Sequence, residues 1–174
     1  MTLTRILAVI AVLIAASPAS AEPNAPGALR LDYGYFCAVE TVEQVEAEDT
    51  ISGVVNMVAQ APPFIQKSTV VPGKIGIGFG IHLDVLPEYE GVAVVATVHP
   101  PMGPDGVTRE TWVTTYEVGH TAYNGFTFEY DYELLYGPWT ISAEANGRVI
   151  YKVDFTVVDP SMMPEVPCGG PFLS

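Results

Sequence analysis

Apolar and polar residues alternate with a period of two over most of this chain, and beyond the first 21 residues no stretch holds a helical period through three turns. The pattern predicts an all-β domain. In segment 149–158, Val149, Tyr151, Val153, Phe155 and Val157 share one face, while Lys152, Asp154 and Thr156 take the other. Just before it, Trp139, Ile141 and Ala143 alternate with Thr140, Ser142 and Glu144, and Asn146-Gly147 supplies a turn. These two segments read as a hairpin. A two-residue loop would set Ile141 opposite Lys152, so the pattern favours a three-residue loop, Ala145-Asn146-Gly147, with Ile141 opposite Tyr151 and Trp139 opposite Val153.

Upstream, Phe126, Phe128, Tyr130 and Tyr132 alternate with Thr127, Glu129, Asp131 and Glu133, predicting a half-buried strand joined through Gly119-His120-Thr121 to segment 108–118. Segment 92–98 is apolar on both faces and reads as a central or doubly covered strand. In segment 75–85, Ile75, Ile77, Phe79, Ile81, Leu83 and Val85 form an inward row opposite Gly76, Gly78, Gly80, His82 and Asp84. Segment 31–39 is a first strand and 53–59 a weaker one, ended by Ala61-Pro62-Pro63, because proline cannot donate to a ladder. About seven to eight short strands separated by turns predict an antiparallel, immunoglobulin-like β-sandwich.

The first 21 residues stand apart. Arg5 precedes the uncharged run 6–16, and Ser17-Pro18-Ala19-Ser20-Ala21 provides small residues at Ala19 and Ala21 for cleavage after Ala21. A signal-peptide helix over 1–21 is expected, then a linker (22–30), the sandwich (31–158) and a Pro/Gly-rich tail (159–174). The run 6–16 is too short to cross a bilayer, and the first cysteine lies well past the cleavage site, so a periplasmic or secreted protein with no membrane or lipid anchor is expected. Only Cys37 and Cys168 are present, and export would bring both to an oxidising compartment, where a disulfide between them is favoured over two free thiols.

Charge removes further classes. Twenty acidic residues face seven Lys and Arg, a formal net charge of −13. Nucleic acid is excluded as a partner because scattered cations cannot neutralise phosphates, and anionic membranes are disfavoured likewise.

Three short motifs carry a resemblance. The run Val71-Pro72-Gly73-Lys74-Ile75-Gly76-Ile77-Gly78-Phe79-Gly80, the pair His99-Pro100, and Tyr136-Gly137-Pro138-Trp139-Thr140 leading into Phe155-Thr156-Val157 resemble a bacterial family known as DUF3859. The resemblance implies an exported β domain with no assigned activity, and it supplies no catalytic residues.

Candidate chemistry is thin. Gly76 to Gly80 lack the strand-to-helix junction and the lysine of a phosphate loop. His82 and Asp84 share a strand face, and Met162, Met163 and Cys168 are soft donors. They support an alternative reading as a metal-binding or metal-delivery protein, although zinc sites need three or four converging ligands. Glu40, Glu43, Glu46, Glu48 and Asp49 read as a solvated acidic loop, without the spacing of a calcium loop. No nucleophile elbow or zinc-protease motif occurs, so neither catalysis nor a cofactor is expected.

The leading expectation is an exported binding or accessory domain that recognises a protein or peptide partner. Its candidate face is the outward side of 75–85, with Gly76, Gly78, Gly80, His82 and Asp84. Glycine inside a strand costs entropy that close approach usually offsets, so an internal covering, by the Cys168 tail or a ring such as Tyr33 or Trp112, is the rival expectation for that trough.

Overall fold

The computed structural model describes residues 22–168, so the expected signal helix with Ala19 and Ala21, and the last six residues of the tail, lie outside the described residues. Within them run ten strands: β1 (Ala28–Cys37), β2 (Thr41–Glu46), β3 (Val54–Val58), β4 (Val70–Pro72), β5 (Ile77–Val85), β6 (Gly91–Met102), β7 (Val107–Tyr116), β8 (Ala122–Thr127), β9 (Gly137–Ala145) and β10 (Arg148–Val158). They form a three-stranded sheet, β1-β5-β8, a five-stranded sheet, β4-β10-β9-β6-β7, and a separate β2-β3 hairpin. Pairing is antiparallel except for the short β4-β10 ladder, where Val71 lies beside Val157 in parallel.

The two larger sheets close on one core. Ile77, Phe79, Ile81, Leu83 and Val85 of β5 are buried against Ile141 and Ala143 of β9 and Val153, Phe155 and Val157 of β10. Phe79 meets Trp139 and Phe155 edge-on, with ring centroids 5.5 Å and 5.0 Å away. Buried Trp139 satisfies its indole N–H by donating to the Leu135 carbonyl at 2.9 Å. Each fully buried large apolar side chain contributes about 1.5–3 kcal/mol, so the alternation read in β5, β9 and β10 is the main source of stability.

Four local expectations are corrected. The β9-β10 turn uses two residues, Asn146 and Gly147, both at positive φ (51° and 71°), as a two-residue hairpin turn requires. A bulge between Val149 and Tyr151 absorbs one residue, so Ile141 pairs with Val153 and Trp139 with Phe155. The strand expected from Phe126 to Glu133 instead starts at Ala122 and ends at Thr127. Beyond it the Glu133 carboxylate accepts the N–H groups of Glu129 and Tyr130 (2.6 and 2.9 Å) and bends the chain into a 3-10 turn, leaving Tyr130 and Tyr132 exposed and stacked on each other.

Strand β6 is central in its sheet but not doubly covered: Val92, Val94 and Val98 face solvent. Finally, the acidic segment is not a loop throughout, because Thr41–Glu46 pairs with β3, although Glu40, Glu43, Glu46, Glu48 and Asp49 are all exposed.

Candidate functional site

The glycine face expected to meet a partner is filled from within. Gly34, Gly80 and Gly125 stand side by side across β1, β5 and β8, flanked by the rows Phe36, Gly78, Thr127 and Asp32, His82, Tyr123. A side chain at Gly78 would collide with the Phe36 ring, and one at Gly80 with the Asn124 carbonyl. Phe36 packs edge-on to Tyr123 with centroids 5.7 Å apart, and Phe64 stacks on His82 at 4.3 Å. Gly76, Gly78 and Gly80 are all buried.

The rings are therefore Phe36, Phe64 and Tyr123 rather than Tyr33, Trp112 or the tail, and no open trough remains. Close approach of the Phe36 ring accounts for Gly78 and that of the Asn124 backbone for Gly80, while Gly76 takes a positive φ of 84°. Phe64 reaches this face because its segment lies along β1, where Tyr35 N–H donates to Gln66 C=O and Ile65 N–H to Tyr35 C=O.

The metal readings also lose their geometry. Burial lowers the pKa of His82 below its ordinary value, and Asp84 accepts the Thr121 hydroxyl at 2.6 Å. Cys168 is bonded to Cys37, with Cα atoms 5.3 Å apart, which removes it from the Met162, Met163 donor set. Among the described residues no three His, Cys, Asp or Glu side chains converge to hold a metal ion.

A cleft of about 400 Å³ borders this face through Phe36, Tyr123 and Thr127, between the β2-β3 hairpin and the side of the sandwich where β7 and β8 are edge strands. The hairpin is tied down at two points. At its tip, Ile51 N–H donates to Glu110 Oε1 at 2.6 Å and Thr111 N–H to the Asp49 carbonyl at 3.1 Å. Further along, the Asn56 amide donates to the Glu129 carboxylate at 3.2 Å. Between these straps, Val54 and Val58, on the same strand face as Asn56, line the cleft together with Phe36, Trp112, Tyr123 and Phe126.

Three carboxylates, Glu110, Glu129 and Glu133, line this cleft, and no Lys, Arg or His does. Burial pushes the Glu133 carboxyl above its ordinary range. Burial prevails over its two backbone hydrogen bonds, which act the other way, and the charges of Glu129 and Glu110 add a smaller upward push. Glu110 is almost fully buried, and His99 Nε2 lies 3.9 Å from its Oε2. The His99 ring is oriented by Nδ1 donating to the Pro100 carbonyl at 2.8 Å.

None of these cleft residues stood out in the sequence as a site. The segments that carry them read otherwise in the sequence: 53–59 as a weak strand, the acidic residues from Glu40 to Asp49 as a solvated loop, and Glu129 and Glu133 as the polar face of a strand. Only the fold brings positions 36–58, 110–112 and 123–133 together.

Two sheets packed over this core define an immunoglobulin-like β-sandwich. A crystal structure of an immunoglobulin-like protein from Pseudomonas aeruginosa is similar, with a TM-score of 0.50 and 20% sequence identity over 80% of this chain and 99% of that one. The chain belongs to the family described as domain of unknown function DUF3859, which matches residues 27–157. Among curated proteins none matches the sequence.

Proposed function

We propose that the protein is an exported recognition domain, without catalytic chemistry of its own, that holds a partner in the cleft under the β2-β3 hairpin. The observation that carries this reading is the cleft itself: a concave site in which Val54, Val58, Trp112 and Phe126 stand among Thr, Asn and Glu side chains, set between a strapped hairpin and an open strand edge. Two of its carboxylates already serve the fold, Glu110 at the hairpin tip and Glu133 in the turn after β8, which argues against either as a general acid or base. The Cys37–Cys168 bond supports an oxidising compartment. No helix among the described residues is long and apolar enough to cross a membrane.

The test is site-specific photo-crosslinking in the exporting cell. A probe replacing Val58, on the cleft face of β3, should give a discrete adduct, whereas one replacing Val92, on the exposed outer sheet, should not. Equal labelling from both positions, or none from Val58, would overturn the reading.

A further inference from the structure

The free edge of β8 gives the cleft a direction. Among the described residues, strand β8 has β5 as its one neighbour. Phe128, the residue after it, donates its N–H to the Ile77 carbonyl at 2.9 Å. Backbone groups of an antiparallel strand point alternately to either side, so Asn124 and Phe126 turn toward β5 like Phe128, and Tyr123, Gly125 and Thr127 turn away from it. Those three residues line the cleft. Gly125 is the middle one and adds no side chain beyond its backbone.

An unpaired strand edge in a cleft of mixed polar and apolar lining selects extended chain, because the incoming backbone supplies the missing hydrogen bonds. The lining selects charge: its ionisable groups are Glu110, Glu129, Glu133 and the two tyrosines Tyr123 and Tyr130, with no cation to balance them. The whole chain reinforces this at long range through its net charge of −13, which draws cations and repels anions. Glu129 is the carboxylate most accessible to a ligand, because it is exposed and bonded only by the Asn56 amide.

We propose that the occupant of the cleft is an extended peptide segment bearing a Lys or Arg side chain, which adds as a strand to the edge of β8 and directs its cation to Glu129. This rests on the reading of the cleft as the binding site and adds the chemistry of the partner to it.

The experiment uses the exported protein with labelled peptides of about nine residues, alternating Val and Thr around a central Lys, Gln or Glu, with binding read by fluorescence anisotropy. The Lys peptide should bind about tenfold or more tighter than the Glu peptide at low salt. The gap should narrow in Glu129→Gln, a change that removes the charge while leaving an acceptor for Asn56. Equal binding of all three peptides, with competition at the cleft, would overturn the cationic partner but leave the cleft reading intact. Failure of every peptide to bind would overturn strand addition, while the Val58 crosslink reports on the cleft independently.

Discussion

Phe36 lies where a Gly78 side chain would stand: a Cβ on Gly78 would run into the Phe36 ring and come within 2.7 Å of Thr127 Oγ1. Phe36 is itself buried, so it cannot swing into solvent to make room. Gly78→Ala should therefore destabilise the fold by about 1–3 kcal/mol, the usual cost of overpacking. In a domain of this size that is a fall in Tm of roughly 2–12 °C. Phe36→Leu in the same chain should recover part of the loss, since the two sites share one volume. Additive effects in thermal unfolding would contradict the contact.

The Cys37–Cys168 bond closes a loop with a sequence separation of 131. It ties the segment after β10 to the end of β1. For so long a loop the chain-entropy argument gives up to about 4–5 kcal/mol, and strain or residual structure lowers it. Replacing both cysteines with serine should lower the denaturant midpoint accordingly. Two alkylatable thiols in the unreduced, denatured protein would show the bond to be absent.

Alkaline pH should unfold the protein through its buried tyrosines. Burial raises the phenol pKa of Tyr123 and Tyr151, and pushes Tyr116, which accepts the Asn124 amide at 2.9 Å, up from 10.0 to about 12. The unfolded chain releases these protons near pH 10 while the folded state keeps them. The contribution of each is therefore complete below that pH and is lost as pH rises through its folded-state pKa, about 12 for Tyr116. Phenolate absorbance should show a group of late tyrosines that ionise together with loss of the fold. Titration of all nine tyrosines near pH 10 with the fold intact would contradict this burial.

Side-chain alternation made the sandwich legible. The row from Ile77 to Val85 and the faces of β9 and β10 were read directly, because a half-buried strand must alternate. Registers were not legible where the ladder breaks. The bulge near Ile150 lets a two-residue turn coexist with an apolar pairing that strict alternation forbids, and its trace was three consecutive apolar residues, Val149-Ile150-Tyr151.

Aromatic residues misled in the opposite way. Tyr130 and Tyr132 extend the apolar period of β8, yet Glu133 draws the backbone into a turn and leaves both rings outside. The cleft was not legible, since its walls come from separate stretches and its hairpin reads as an acidic surface. The glycine face was legible as a site of close approach, but the rings that fill it come from β1, β8 and the segment before β4.

Loss of the Asn56 strap should loosen the hairpin without unfolding the sandwich. Asn56→Ala removes the bonds to Glu129 while Asp49, Ile51 and Glu110 still hold the tip. Stability should change by about 1 kcal/mol or less, as for an exposed hydrogen bond. Amide exchange in β2 and β3 should quicken while β9 and β10 remain protected. Equal acceleration across the two regions would show the hairpin to be part of the global folding unit.

The most direct measurement is amide hydrogen exchange at Tyr123, Gly125 and Thr127, with and without a saturating Lys-bearing peptide. Strand addition predicts slower exchange at these amides, while Val113, on the edge strand β7, is unchanged. Saturable binding that leaves all three exchanging at their free rates would contradict the account.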